Sequence, residues 1–311
     1  MDLTIRVVEE ASVPTVQLVD NSNGGTIIES RPLADTSQVV ITGSEQSDTL
    51  TVDSSTPSSL PISFTDTSAN DHDILTVLGT DQTWNITGPN AGTVGNVTFA
   101  GIENLTGGAD NQDMFTFEAS GSILGVVDGG AGGFDTIKLA GGYFQKVAYT
   151  VSGPDSGTIA RDGDLITYSG FEPLIDTTTG PSRSFSGTAF ADHISLIDRG
   201  TPTDDSFTIS MDTGEDLIFI DASSITDLTI DAAAGDDRID VDPLDSGFNG
   251  DLTIDAGTGN DQITLNAKTG HGAYTLDGGG DSGDLIKASG IDLTLTKAKM
   301  IASNLDCNVN F

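Results

Sequence analysis

Three similar segments follow one another with almost no intervening sequence, and this repetition constrains the fold more than any other feature. They read LTIDAAAGDDRIDV (228–241), LTIDAGTGNDQITL (252–265) and YTLDGGGDSGDLIKA (274–288). In each segment, alternating apolar residues lead into an aspartate, a loop of small residues follows, and a second aspartate opens another alternating run. Each unit is therefore predicted to be a strand, an acidic glycine-rich turn and a second strand.

The aspartates that open the apolar runs recur at a short, nearly constant spacing along most of the chain. They are Asp48, Asp73, Asp113, Asp135, Asp192, Asp216, Asp237, Asp261 and Asp284. Six of the eight steps between them are 21 to 25 residues long. A unit so short cannot bury its own apolar face, so this period indicates stacked repeats. We predict an all-β fold, a parallel β-solenoid with one acidic, glycine-rich turn per coil. Two antiparallel β-sandwiches are the alternative, because strands separated by short turns also suit that architecture.

The two longer steps, of 40 and 57 residues, contain insertions that resemble each other. Residues 83–105 and 148–174 share a Gly-Pro pair, a Gly-Thr pair and a Glu-x-Leu sequence at equivalent places. Each insertion reads as a strand, a Gly-Pro turn and a return strand. We therefore expect two protruding hairpins, at 83–101 and 148–170, each added to one coil.

A larger repetition overlies the short one, since Asp48 and Asp192 occupy equivalent positions 144 residues apart. It predicts two related halves, 36–178 and 179–311. Residues 1–35 differ from both and read as an N-terminal β segment or the end of a preceding β domain.

Several kinds of sequence signal are missing or rare. The single cysteine, Cys307, rules out an intrachain disulfide, and no run of about 18 apolar residues indicates a transmembrane helix. The one helix candidate is TKAKMIAS (296–303). Because strand-like alternation begins at the first residues, we expect the chain to be a piece of a longer protein.

The chain is strongly acidic, with 47 acidic and 12 basic residues and a formal net charge of −35. Aspartate accounts for 39 of the acidic residues, and aspartate suits turns and oxygen-ligand cation sites. Nucleic acid and anionic membrane surfaces would be repelled, so we expect neither nucleic-acid binding nor membrane insertion. Divalent cations are the expected partners.

The acidic loops resemble the G-G-x-G-x-D-x-apolar-x signature of RTX-type (haemolysin-type) calcium-binding repeats. The segments that carry the resemblance are GGAGGFDTI (129–137), GGADNQDMF (107–115), AGTGNDQIT (256–264) and GGGDSGDLI (278–286). GIENLTGG (101–108) is similar to modules of giant repetitive bacterial surface proteins and adhesins. One loop per coil, instead of uninterrupted tandem loops, is a departure from the RTX pattern. The resemblance implies a calcium-binding protein that is extracellular or on the cell surface.

Stacked acidic turns predict calcium binding on physical grounds as well. Two unit charges about 5 Å apart repel by about 0.8 kcal/mol in water, and calcium between loops would replace this repulsion by coordination. The predicted ligands are Asp110, Asp113, Asp128, Asp135, Asp231, Asp237, Asp255, Asp261, Asp277, Asp281 and Asp284. The alternative is that these side chains only close Asx-turns and point into water.

Catalytic motifs are not evident. The histidines His72, His193 and His271 lie in different repeats, and no nucleophile elbow or metalloprotease motif occurs. The aromatic residues Trp84, Phe99, Tyr149 and Tyr168 suit sugar binding or the core, and we expect them in the core.

The expected function is therefore a non-catalytic structural or adhesive calcium-binding module of a large secreted or cell-surface bacterial protein, such as an adhesin or a surface-layer or matrix component. Its expected partners are calcium ions, with neighbouring copies end to end or cell-surface polysaccharide as further candidates. The alternative is a secreted β-helix carbohydrate-active enzyme, a polysaccharide lyase or epimerase, or its calcium-binding accessory module. Lys138, Arg238 and Lys287, which lie close to acidic turns, are the basic residues that such an enzyme would use.

Overall fold

The computed structural model describes residues 1–68, 71–212, 216–266 and 272–288. Within these ranges the protein is all-β, with two long, mostly parallel sheets and two short 3-10 helices, Leu33–Asp35 and Ala222–Ser224. The all-β prediction is thus confirmed. The helix candidate at 296–303 and His271 lie outside the described residues.

The strands are short and alternate between buried and exposed positions. The first fourteen are β1 (Asp2–Glu10), β2 (Val13–Asp20), β3 (Thr26–Pro32), β4 (Val39–Thr42), β5 (Thr49–Val52), β6 (Ile62–Thr65), β7 (Ile74–Val77), β8 (Thr83–Gly88), β9 (Ala91–Val94), β10 (Val97–Ala100), β11 (Asn104–Thr106), β12 (Met114–Glu118), β13 (Val126–Asp128) and β14 (Thr136–Ala140). The others are β15 (Lys146–Gly153), β16 (Ser156–Arg161), β17 (Asp164–Ser169), β18 (Leu174–Asp176), β19 (Ser182–Ser186), β20 (His193–Ile197), β21 (Ser206–Met211), β22 (Asp216–Ile220), β23 (Asp227–Asp231), β24 (Arg238–Val241), β25 (Asp251–Asp255), β26 (Gln262–Leu265), β27 (Tyr274–Asp277) and β28 (Leu285–Ala288).

The chain forms two compact units, the first made of Met1–Ala140 and Leu165–Glu172. In it, one sheet has the order β3-β2-β1-β5-β7-β11-β13-β17 and the other has the order β4-β6-β10-β9-β8-β12-β14. Strands β1 to β3 are antiparallel, whereas β1, β5, β7, β11, β13 and β17 pair in parallel. From β4 to β8 the chain alternates between the two sheets, so parallel neighbours come from successive repeats. Leu50, Leu75 and Leu105 consequently lie side by side and are fully buried.

Aromatic residues fill the core of the first unit. Trp84 and Phe115 are register partners in β8 and β12, and their rings stack with centroids 4.8 Å apart. Phe171 meets Phe115 edge-on at 5.0 Å. Trp84, Phe99 and Tyr168 are all at most 3% exposed, so they belong to the core, as predicted.

The second unit comprises Gly141–Asp164 and the chain from Pro173 onward. Its sheets have the orders β27-β25-β23-β19-β15-β16 and β28-β26-β24-β20-β21-β22-β18. Ile239, Ile263 and Ile286 align in parallel register in β24, β26 and β28, as their equivalent places in the three repeats predict. Tyr149 of β15 packs edge-on against Phe219 of β22 at 5.9 Å, which joins the buried faces of the two sheets.

The prediction of two protruding hairpins is wrong, although both segments are antiparallel. Strand β9 pairs with β8 and β10, and these pair in turn with β12 and β6, so all three lie within a sheet. Strand β16 pairs with β15, which pairs in parallel with β19. The physical reason is burial: Val94 and Ile159 in the middle strands are fully buried, and a protruding hairpin would leave them in water.

A third antiparallel segment was not predicted. Strand β21 pairs antiparallel with both β20 and β22, so the step from Asp192 to Asp216 does not complete a parallel coil. The rule of one acidic turn per 21–25-residue coil therefore fails at this step.

Residues 1–35 join the array directly, because β1 pairs in parallel with β5. The bounds of the compact units differ from those of the predicted halves, 36–178 and 179–311. The halves were defined by duplication within the sequence, and they stay a prediction. Within the described parts of the chain, no helix has the length and apolarity needed to cross a membrane.

Candidate functional site

Buried carboxylates at the starts of strands form hydrogen-bonded chains, which we name the carboxylate ladder. Within a run, each carboxylate after the first accepts a hydrogen bond from the backbone N–H of the ladder residue before it. Among the residues that the structure describes, the ladder has three runs: Asp48, Asp73 and Glu103; Asp113 and Asp135; and Asp192, Asp237, Asp261 and Asp284. All of these residues are at most 5% exposed. The N–H···O distances lie between 2.7 and 3.2 Å, so every rung is a good hydrogen bond.

Five of the eleven predicted calcium ligands belong to this ladder: Asp113, Asp135, Asp237, Asp261 and Asp284. Their carboxylates already bind backbone N–H groups, a role that the sequence did not predict. The first role of the ladder is therefore to provide hydrogen-bond acceptors for backbone N–H groups where repeats stack.

Four predicted ligands stand at the ends of strands and close Asx-turns. They are Asp128, Asp231, Asp255 and Asp277, and each accepts the N–H two residues further along at 2.9 to 3.1 Å. Asp231, Asp255 and Asp277 also align in register in β23, β25 and β27, so their carboxylates stack in a column as predicted. Asp231, Asp255 and Asp277 thus close Asx-turns and also stack on one another.

The last two predicted ligands, Asp110 and Asp281, are exposed. Asp281 Oδ2 accepts the Gly259 N–H at 2.9 Å, and Asp110 has a left-handed backbone with φ of 55°. Each thus has a local structural role in its turn.

Burial and like charges raise the pKa of several ladder carboxyl groups. Burial, with added repulsion from Asp66, Asp71 and Glu103, raises the pKa of Asp73 to about 6. Burial also raises the pKa of Asp135 and that of Asp237 to about 6, again with neighbouring carboxylates contributing. The charged form is disfavoured at these places because it is removed from water beside other negative charges.

Some ladder oxygens lack a hydrogen-bond donor in the part of the chain that the structure describes. Oδ2 of Asp73, Asp237 and Asp261 is buried and makes no hydrogen bond to the described residues. A buried carboxylate oxygen without a donor is costly, and either a proton or a cation would relieve that cost.

Two groups of carboxylates in the described residues are close enough to share a metal ion. Asp48, Asp66 and Asp73 form one group, and Asp71, Asp73 and Glu103 form the other, with ligand oxygens within 4.8 Å of one another in each. None of the eleven predicted ligands belongs to either group. Asp48 and Asp73 carry the turn pattern in the sequence. Asp66 carries no such signal, because it follows β6 of the other sheet.

His193 lies between two carboxylates on β20 and its neighbours. Its Nδ1 is 2.8 Å from Asp212 and its Nε2 is 2.9 Å from Asp240. The hydrogen bond with Asp212 and the one with Asp240 raise the pKa of His193 against the opposing effect of burial. Arg238 also pairs with Asp240, at 2.6 Å, so this group reads as an ion-pair network on the strands.

Comparison of the chain with protein-family models, with curated proteins and with solved structures finds no match in any of the three. The basis for a function is therefore the stacked repeats, the ladder and the two carboxylate groups.

Proposed function

We propose that this chain is a non-catalytic structural or adhesive module of a large secreted or cell-surface bacterial protein, and that calcium stabilises its fold. The observation that carries the proposal is the in-register stacking of acidic turns, with Asp231, Asp255 and Asp277 in one column. Such an array provides a stable scaffold and brings carboxylates together at regular intervals. The resemblance to RTX-type repeats and bacterial surface proteins supports the same function.

The architecture proposed for this module is a parallel β-solenoid. Each coil would contribute one strand to each sheet, as β23 with β24 and β25 with β26 do. In-register pairing of identical residues, such as Ile230 with Ile254 and Ile239 with Ile263, supports coils that stack directly. Where antiparallel strands are inserted, a coil would contribute more than one strand to a sheet.

Calcium is the proposed cofactor because the chain has excess negative charge and its candidate ligand atoms are all oxygens. The chain carries a net charge of −35, and ladder oxygens such as Asp237 Oδ2 and Asp261 Oδ2 receive no hydrogen bond from the described residues. Calcium accepts six to eight oxygen ligands in irregular geometries, which suits carboxylates and carbonyls of stacked loops.

The partners proposed for the module are neighbouring copies end to end or cell-surface polysaccharide. Strand β3 supports the first, because it is an edge strand and all seven of its residues are exposed. An unpaired edge of this kind offers backbone groups to another strand. The strong negative charge opposes nucleic acid as a partner.

Calcium dependence is tested by thermal melting. A ligand that binds only the folded state, at about a hundredfold excess over Kd, stabilises it by about 2.7 kcal/mol. Millimolar calcium should raise Tm well beyond sodium chloride of equal ionic strength, and Asp255→Ala with Asp261→Ala should reduce that increment. Equal shifts with calcium and sodium chloride would show that the acidic turns bind no calcium.

The non-catalytic part of the proposal is tested separately with uronate-containing polysaccharides. A lyase would release unsaturated products that absorb in the ultraviolet. We expect no such absorbance, and its appearance would favour the enzyme alternative.

A further inference from the structure

Five acidic residues from four segments of the first unit converge near β5, β7 and β11. Asp48, Asp71, Asp73 and Glu103 precede these strands, and Asp66 follows β6. Asp73 belongs to both of the close groups, so it links Asp48 and Asp66 on one side to Asp71 and Glu103 on the other. We refer to these five residues as the Asp73 cluster.

Unpartnered oxygens are the second feature of the Asp73 cluster. Both carboxylate oxygens of Asp71 and Oδ2 of Asp73 are buried and lack a hydrogen-bond donor among the described residues. Asp71 is only 8% exposed and Asp73 is fully buried. Asp71 therefore places a whole carboxylate beside Asp73 and Glu103, and no described residue donates a hydrogen bond to it.

Within the described parts of the chain, positive side chains form no ion pair with the cluster. Among the ion pairs of the described residues, the one that reaches the cluster joins the Met1 amino group to Asp48. Asn90 donates to Glu103 Oε1 at 2.8 Å, and the Ser68 N–H donates to Asp66 Oδ1 at 2.5 Å. These neutral donors hold the two carboxylates in place and leave the net charge unchanged.

We propose that Asp48, Asp66, Asp71, Asp73 and Glu103 form a calcium-binding site centred on Asp73. All the candidate ligand atoms are carboxylate oxygens, which hard divalent cations prefer, and five carboxylates can supply the six to eight oxygens that calcium accepts. The inference rests on the proposed function, because it assigns part of the calcium-dependent stabilisation to one place. The site includes none of the eleven aspartates expected from the turn pattern.

Gly43 makes room for this site. A Cβ at Gly43 would overlap Asp66 Oδ2 and approach Asp48 Oδ2 at 3.0 Å. The absence of a side chain therefore allows two of the ligands to approach each other.

The test uses Asp71→Asn, which removes a charge but breaks no hydrogen bond within the described residues. Without calcium, the variant should melt at or above the wild-type Tm, because like-charge repulsion is relieved. With calcium, it should melt below wild type, and calorimetric titration with calcium alone should show at least tenfold weaker binding at one site. Asp66→Asn, which keeps the acceptor for Ser68, should behave in the same way.

The matched control is Asp53→Asn, in the same unit. Asp53 closes an Asx-turn by accepting the Ser55 N–H at 2.9 Å and lies outside the cluster, so calcium binding should not change. If Asp71→Asn lowers Tm equally with and without calcium, its role is only structural and the inference fails.

The site and the proposed function can fail separately. If wild type shows a calcium-specific increment that Asp71→Asn and Asp66→Asn keep and the Asp255→Ala, Asp261→Ala variant loses, the site is wrong and the function stands. If wild type shows no calcium-specific increment, the site and the calcium part of the proposed function are both wrong.

Discussion

An aspartate at the start of a strand can satisfy a backbone N–H of the neighbouring repeat. Asp237 does this for Asp192 at 2.7 Å, and Asp261 does it for Asp237 at 2.8 Å. Glu103 serves the same purpose for Asp73 at 3.1 Å, so the position needs a carboxylate within reach rather than aspartate alone. Single residues thus connect successive repeats in addition to the hydrogen bonds of the sheets.

The sequence could predict which aspartates lie in the turns but not what each carboxylate binds. Asp255 and Asp261 flank one glycine-rich loop, yet one closes an exposed Asx-turn and the other is buried in the ladder. Both roles require a short acidic side chain beside glycine, so composition cannot separate them. Asp66 was missed because sequence spacing does not show which residue of the opposite sheet approaches a turn.

Arg183 is the centre of a buried network in the second unit. Its Nε donates to Asp176 at 2.9 Å, and its Nη2 donates to Thr178 at 2.9 and 3.0 Å. Tyr149 also donates its hydroxyl to Asp176, at 2.7 Å. Arg183 is 1% exposed, so its charge depends on these partners instead of on water.

We predict that Arg183→Met lowers the free energy of unfolding by about 3 kcal/mol, the lower end for a broken buried ion pair, since Asp176 keeps other donors. Urea denaturation measures the change. The control is Arg199→Met, because Arg199 is 51% exposed and pairs with Asp216 at the surface. It should cost less than about 1 kcal/mol. Equal losses in the two variants would contradict the assigned role.

At the scale of strands and turns, alternation of apolar residues predicted the strands well. It gives the buried face of each strand, but it does not tell which strand is its neighbour. Strand β9 was therefore predicted to be antiparallel and yet placed outside the sheet that contains it. The step that ends at Asp216 was wrongly predicted to be one parallel coil for a similar reason. The antiparallel meander of β20, β21 and β22 has about the length of a coil.

Stacked turns require glycine where one turn lies directly against the next. Gly257 has φ of 88°, and a Cβ there would overlap the carbonyl oxygen of Ala233 in the preceding turn. Gly279 has φ of 99° and meets the carbonyl of Gly257 in the same way. The same close contact, between a glycine and a carbonyl oxygen of the preceding turn, thus recurs along the stack.

We predict that Gly257→Ala lowers Tm more than Gly141→Ala does. Gly141 also has positive φ, of 64°, but nothing lies within 4 Å of the place that a Cβ would occupy there. Gly141→Ala should therefore cost only the left-handed backbone penalty, about 1–2 kcal/mol. Gly257→Ala adds the overlap with Ala233. Thermal melting of both variants checks this, and equal decreases would show that the turns do not pack as described.

At the scale of the whole molecule, buried carboxyl groups with like-charged neighbours make stability depend on pH. In the unfolded chain an aspartate has a pKa of about 3.9, whereas Asp73, Asp135 and Asp237 have a pKa of about 6 in the folded protein. Between these values the folded state binds more protons than the unfolded state. Stability should therefore fall as pH rises towards and through 6.

We predict that, without divalent cations, Tm rises when pH is lowered from about 8 to about 5.5, a window that includes the folded pKa values. Calcium should weaken this dependence, because it competes with protons for the same oxygens. His193 has a raised pKa and acts in the same direction, so His193→Gln is the control that isolates the carboxylates. A Tm that falls or stays constant over this interval in that variant would contradict the prediction.

The longest run of the ladder, Asp192, Asp237, Asp261 and Asp284, resembles a short linear polyelectrolyte. In the middle of this run, burial and the charge of Asp261 both raise the pKa of Asp237, so a proton bound at Asp261 removes part of the repulsion that Asp237 experiences. Proton binding by these two neighbours is then anticooperative. The pair consequently changes its charge gradually over a broad pH interval, and its apparent pKa values belong to the pair as a whole.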